Sequence, residues 1–304
     1  MRTLSTALLA IAGSILAPSV PSAQPTQDFS KVNIKSTKLA DGLYVLEGAG
    51  GNIALSVGKE GSVIIDDQFA PLTTKIRAEA RKLGAANLKF VINTHWHGDH
   101  TGGNENLSKA GAVIVAHENV RKRLSSEQFI ELMNRKVPAS PPGALPVITF
   151  TTDLRFHLNG EDLHVIHVDP AHTDGDSIVH LAKANAIHMG DTMMTISYPF
   201  VDVSSGGRFA GIIAAADRAL SLSNETTKII PGHGPVTDRA GLQEWRDMLV
   251  TIRDLVAKQV QQGKTLEQVL AAKPTEKWDA KWGQQFIKPE VLVSTLYREL
   301  KEKR

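Results

Sequence analysis

Cysteine does not occur anywhere in the 304 residues. Disulfides, thiolate metal ligands and a lipid-anchored cysteine behind a leader are therefore excluded. Excess charge of one sign is missing too. Lys and Arg total 34 against 32 Asp and Glu, a formal net charge of +2, and nothing in that balance argues for a nucleic-acid partner. The apolar stretch from Leu4 to Ala17 is too short to be a stable membrane span. Arg2 ahead of it and Pro21-Ser22-Ala23 behind it instead give residues 1–23 the pattern of a secretory signal peptide, with an uncleaved amphipathic N-terminus as the rival reading. A periplasmic or secreted protein is expected. Residues 24–304 carry no boundary signal and read as one domain large enough to need no cross-links, and no sequence feature sets its oligomeric state.

What the chain does have is a concentration of histidine. Thr94-His95-Trp96-His97-Gly98-Asp99-His100 places three histidines and an aspartate within six positions. Leu88 to Ile92 ahead of it is an apolar run of strand length, and Asn104 to Lys109 behind it reads as a helix. The cluster thus falls where a strand gives way to a helix, the usual place for a site on an α/β sheet. A polar surface loop explains one such histidine but not this spacing. Imidazole and carboxylate together suit zinc, and less exclusively iron or manganese. In an extended turn His95 and His97 point to one side and can grip an ion, with Asp99 and His100 placed toward a second.

One loop cannot close a two-metal site. Three further candidates each follow an apolar run: His172 after Leu163 to Val168, Asp191 after Ala186 to Gly190, and His233 after Lys228 to Ile230. Glycines flank these positions, as expected where backbone turns tightly.

The set His95-x-His97-x-Asp99-His100, His172, Asp191 and His233, in that order, resembles the metallo-β-lactamase superfamily of metallohydrolases over about residues 40 to 237. The resemblance implies an α/β fold, a four-layer αβ/βα sandwich with two mixed sheets face to face, helices outside and the site along one edge. It implies that His95, His97 and His172 bind one zinc, that Asp99, His100 and His233 bind a second, and that Asp191 bridges them, with iron or manganese as alternatives. Asp66 would orient a ligand. A hydroxide shared by metals about 3.5–4 Å apart would attack an acyl carbon, with Asp99 orienting it and relaying a proton. The implied reaction is cleavage of an ester, lactone, thioester or β-lactam amide in a small-molecule substrate. Two departures weigh against β-lactams: the common zinc β-lactamase subclass has Cys at the position of Asp191 and Lys at that of Met194. A mononuclear iron oxygenase of the persulfide dioxygenase kind and a non-catalytic periplasmic metal-binding protein are the rival readings. Retention of Asp99, His100 and His233 disfavours both.

Elsewhere, Phe209 to Leu222 reads as an alanine-rich outer helix, and Leu242, Trp245, Leu249, Ile252 and Val256 give a helical face from Asp238 onward. Ser125 to Pro146 is a long Pro-rich segment, with a helical part expected over Phe129 to Met133, that either covers the site or is an exposed insertion. The tail from Leu266 to Leu300 reads as helices interrupted around Trp278 to Gly283. His117, His157, His164, His167, His180 and His188 lack a motif position and read as structural or surface residues. Met189, Met193 and Met194 read as core, and Tyr198-Pro199-Phe200 as a packed loop with access to substrate as its rival role.

Overall fold

A computed structural model describes residues 27–302, so the expected signal peptide lies outside the described residues. The strands are β1 (Lys35–Ala40), β2 (Leu43–Glu47), β3 (Ile53–Ser56), β4 (Ser62–Ile65), β5 (Leu88–Asn93), β6 (Val113–His117), β7 (Gln128–Ile130), β8 (Arg135–Val137), β9 (Ile148–Phe150), β10 (Asp153–Leu158), β11 (Glu161–His167), β12 (Ser177–Leu181), β13 (Ala186–His188), β14 (Lys228–Ile230) and β15 (Thr237–Asp238). Seven form one sheet in the order β1-β2-β3-β4-β5-β6-β9, and six form a second, β10 through β15 in sequence order. Both sheets are mixed. β4, β5, β6 and β9 run parallel, as do β13 and β14, while the other pairs are antiparallel.

Strand periodicity builds the layers. Ile65, Ile92 and Val115 point toward the second sheet and meet Leu163, Val165, Val179 and Ile230 there. Their neighbours Ile64, Val91 and Ile114 point the other way, onto helices α1 (Thr73–Lys82) and, past the short turn α2 (Gly98–Thr101), α3 (Asn104–Lys109), through Ile76 and Leu107. With both faces covered, β3 and β4 are buried at every position, as their unbroken apolar runs require. After α4 (Glu118–Leu124), the outer face of the second sheet is covered by α5 (Phe209–Leu222) and α6 (Arg239–Gln261). Ile178, Ile187 and Ile229 pack there with Phe209, Ile212, Trp245 and Leu249. The result is the expected αβ/βα sandwich. Leu249 and Ile252 are fully buried, and truncating either to Ala costs about 2–5 kcal/mol.

Two local expectations fail. Phe129 to Met133 is not a helix: β7 and β8 pair as a hairpin around a 3₁₀ turn, Glu131–Met133, closed by Asn134 in the left-handed region. Asn tolerates that conformation, and only Ile130 on β7 is buried, so no helical face exists to dock. The second failure is in the tail. After α7 (Leu266–Ala271), residues 276–282 are helical (α8, Glu276–Trp282), because Trp282 is buried against Trp245 with ring centroids 6.2 Å apart. The breaks fall on either side, before the last helix, α9 (Pro289–Glu302).

That last helix is tied to the body. Glu299 accepts hydrogen bonds from the backbone N–H groups of Phe209 at 2.6 Å and Ala210 at 3.3 Å, satisfying donors at the start of α5 with a carboxylate. Among the described residues, no helix is long and apolar enough to cross a membrane.

Candidate metal centre

The ends of β4, β5, β11, β13 and β14 all emerge at one edge of the sandwich, and each carries site residues just beyond its last position. Asp66 follows β4, His95 to His100 follow β5, His172 follows β11, Asp191 follows β13 and His233 follows β14. The seven residues expected as metal ligands are brought together. Nitrogens of His95, His97 and His172 lie within 4.8 Å of one another, as do the ligating atoms of Asp99, His100 and His233, and those of His95, His100 and Asp191. Asp191 stands between the two histidine-rich groups. Its Oδ2 is 3.6 Å from His172 Nε2 and 3.4 Å from His233 Nε2, and its Oδ1 is 3.2 Å from His100 Nε2.

The imidazoles are aimed from behind. His100 Nδ1 donates to Asp66 Oδ2 at 2.8 Å, which leaves Nε2 facing the centre. His172 Nδ1 donates to the Phe200 carbonyl at 2.6 Å, and His97 Nε2 donates to Asp202 Oδ2 at 3.0 Å, turning His97 Nδ1 inward. His95 Nδ1 lies 3.0 Å from the Thr94 hydroxyl. Fixing the outer ring nitrogen sets tautomer and orientation of a ligating histidine. Asp66 also accepts from Thr94 N and Thr94 Oγ1, both at 2.8 Å, so it links the ends of β4 and β5 as well as holding His100. It does so at φ +61°, a backbone region that non-glycine residues rarely occupy and that its buried hydrogen bonds enforce.

Close approach demands glycine at two points. A Cβ on Gly51 would lie 2.1 Å from His100 Cε1, and one on Gly232 would lie 2.0 Å from Asp191 Oδ1. The glycine-rich link 48–52 therefore does lie against the site, with Gly51 N donating to the Asp99 carbonyl at 3.1 Å.

The electrostatics divide the centre in two. Burial holds His95 well below the ordinary imidazole range and takes His172 down to about 4, so both are neutral at neutral pH. Burial opposes charge on His233 too, but Asp191 and Asp99 outweigh it and raise its pKa to about 10. His100 is raised likewise, against burial, by Asp191, Asp99 and Asp66. Asp99 and Asp191 stay below the usual carboxylate range despite burial because His100 and His233 face them. Access is also unequal: the Asp99 and His233 side chains are 28% and 23% exposed, whereas His95, His172 and His100 are closed off.

The donor set fits divalent ions. His95 Nε2 is buried and makes no hydrogen bond in the protein, an expense that an ion held there would remove. Sequence reasoning did not find Asp202, the Thr94 hydroxyl or the Phe200 carbonyl. The one available signal for Asp202 was a carboxylate inside the otherwise apolar run Phe200-Val201-Asp202-Val203. Trp96 is buried beneath the loop and donates to Ser205 Oγ at 3.1 Å. Met189, Met193 and Met194 are core residues, and Tyr198 is buried with its hydroxyl donating to Asp279 at 2.8 Å.

Comparison with known proteins agrees with this geometry. Residues 47–258 match the model of the metallo-beta-lactamase superfamily. An atrochrysone carboxyl ACP thioesterase of Aspergillus terreus is 28% identical over 153 residues, which are 50% of this chain and 41% of that protein. The chain thus spans about two fifths of that relative's length. Among solved structures, the DIM-1 metallo-beta-lactamase superposes with a TM-score of 0.58 at 20% identity, covering 73% of this chain and 99% of that one. The stereoselective inverting sec-alkylsulfatase Pisa1 of Pseudomonas sp. gives 0.65 at 16% identity, covering 88% of this chain and 50% of that one. At these identities the two structures share the fold.

Proposed function

The chain belongs to the metallo-beta-lactamase superfamily, and from that premise we propose that it is a dinuclear zinc hydrolase of acyl-type bonds: ester, lactone, thioester or β-lactam amide. The observation that carries this reading is the pair of triads meeting at Asp191. His95, His97 and His172 would hold one ion and Asp99, His100 and His233 the other, with Asp191 shared. Bound there, such ions would lower the pKa of water toward neutrality and polarise the carbonyl oxygen.

The chain's own residues supply the rest. Asp99 Oδ2 lies 3.2 Å from His233 Nε2 on the open side of the centre, where it is held ionised and is partly exposed. It would orient the attacking water, take up its proton and deliver it to the departing oxygen, sulfur or nitrogen. Water adds to the acyl carbon, the bond to the leaving atom breaks, and an acid and a protonated leaving group result.

Esters and thioesters suit the site better than β-lactams. Met194 is buried in the core, so no cation stands at that position to bind an antibiotic's carboxylate. The thioesterase relative points the same way. We also propose that the enzyme works in the periplasm or outside the cell, on the pattern of residues 1–23. The test is zinc content by elemental analysis together with hydrolysis of a chromogenic cephalosporin, an aryl ester and an acyl thioester. Two zincs per chain with metal-dependent turnover of any of these supports the reading. Iron as the native metal, with oxygen consumption in place of hydrolysis, would replace it with an oxygenase.

A further inference from the structure

Four of the five histidines at the centre have a partner on the outer ring nitrogen: Thr94 for His95, Asp202 for His97, Asp66 for His100 and the Phe200 carbonyl for His172. His233 differs. Its Nε2 faces Asp99 at 3.2 Å and Asp191 at 3.4 Å, and among the described residues nothing hydrogen-bonds to its Nδ1. With the ring unanchored, its place depends on the main chain that carries it.

That main chain is held from the other sheet. Asn52, buried just ahead of β3, donates from Nδ2 to the Pro231 carbonyl at 2.9 Å and to the Gly234 carbonyl at 2.8 Å, on either side of His233. Its backbone N–H donates to the Gly232 carbonyl at 2.7 Å. Carbonyls only accept, so the NH₂ end of the amide must face them, and both its hydrogens are engaged. The carbonyl of His233 itself accepts from Thr195 N at 3.0 Å. Asn52 is fixed in turn. Its own carbonyl accepts from Nε2 of the fully buried His188 at 3.0 Å, and His188 Nδ1 accepts from Gly190 N at 3.1 Å. The Gly190 carbonyl accepts from Gly232 N at 2.8 Å. Asn52, His188, Gly190 and Gly232 thus close a circuit of hydrogen bonds between the two sheets. Gly190 leads directly into Asp191 and Gly232 into His233.

We infer that Asn52 is a positioning residue for His233. It does through the main chain what Asp202 does for His97 through the ring, and His188 extends the same hold to Asp191. The inference rests on the ligand set proposed above and deepens it: Asn52 is not a ligand, yet it sets the affinity for the ion assigned to Asp99, His100 and His233. Removing its two side-chain donors leaves the Pro231 and Gly234 carbonyls without those partners and frees the turn that carries His233.

The experiment measures zinc affinity, by competition with a chromophoric chelator, in Asn52→Leu, which keeps the shape and removes both donors, and in Asn52→Ser, which keeps one hydroxyl donor. Each is made alone and combined with His233→Ala or His172→Ala. Asn52→Leu alone should weaken binding of one zinc by about 10–100-fold, and by as much alongside His172→Ala. Alongside His233→Ala the further loss should stay under about twofold, because nothing is left to position. Asn52→Ser should fall between Asn52→Leu and wild type. A merely structural role predicts the same loss in every background, so an equal loss, or none, overturns the inference. A comparable loss of affinity in Leu249→Ala, which removes packing on the outer face of the second sheet, overturns it too. Hydrogen exchange on the metal-free proteins is the second readout. Amides of residues 230–236 should exchange at least about tenfold faster in Asn52→Leu, with those of residues 95–100 unchanged. Unchanged exchange in that turn overturns the inference. If both readouts come out as expected and no ester, thioester or cephalosporin is hydrolysed, the role of Asn52 stands and the hydrolase reading fails instead.

Discussion

Asp202 accepts a hydrogen bond at 3.0 Å from Nε2 of His97, a residue 105 positions earlier in the chain. Burial opposes the Asp202 charge, but hydrogen bonds from His97, Ser204 and Ser205 outweigh it and hold its pKa at about 2. The carboxylate is therefore a fixed anchor. It determines that His97 presents Nδ1 inward, 2.8 Å from His172 Nε2. Asp202→Ala should weaken ion binding at the first triad by about 10–100-fold, the usual cost of losing such a partner. Asp202→Asn, which keeps an acceptor, should recover part of it. Competition for zinc against a chromophoric chelator measures both, and equal affinities in all three proteins would show that His97 is held some other way.

Asp191 faces both groups of histidines. Its removal should affect both ions, in contrast to Asp202. Asp191→Ala is expected to bind less than two zinc ions per chain after dialysis and to lose at least about a hundredfold in turnover. Full metal content with an unchanged rate would place the bridging role elsewhere.

Ion binding should release protons unequally. Before an ion binds, His172, with a pKa of about 4, carries no proton to displace at pH 7, while His233, with a pKa of about 10, does. An ion bound by Asp99, His100 and His233 should therefore displace a proton from His233 at pH 7, whereas His172 has none to give up. Calorimetric titrations in buffers of different ionisation enthalpy measure this directly. Zinc binding with no proton release at pH 7 contradicts the charged state of His233.

Asp176 provides a pH signature of stability. Burial raises its pKa to about 7, against the hydrogen bonds it accepts from Thr173 N at 2.9 Å and Thr173 Oγ1 at 2.6 Å. The folded value lies above the unfolded one, so the folded chain binds the extra proton between about pH 4 and 7. Its contribution is complete below about pH 4 and is lost as pH rises through 7, a change of up to about 4 kcal/mol. Asp176→Asn should flatten that decline when unfolding free energy is followed from pH 4 to 8. Parallel curves for wild type and variant would show that Asp176 is ionised throughout.

The parts of the fold legible in the sequence were those with a strict local period. Phe209 to Leu222 and the helix after Asp238 fall where their apolar faces require. The ligands were legible because each sits directly after a buried strand, so strand ends located them. Residues 129–133 were misread because five residues with four apolar side chains suit a helix or a hairpin alike, and Asn134 decided between them through its backbone conformation. Asp202 was hidden for another reason. Its role depends on a contact across 105 residues, and no local spacing encodes that.

The order of synthesis gives α9 a further meaning. All seven expected ligands have been translated by His233, yet Leu292, Val293, Leu296 and Glu299 are translated later. Leu292, Val293 and Leu296 pack into the same buried apolar cluster as Trp96, which lies beneath the histidine loop, and Glu299 supplies its carboxylate to the start of α5. The support under the first ligands of the chain is therefore complete only after α9 has joined it.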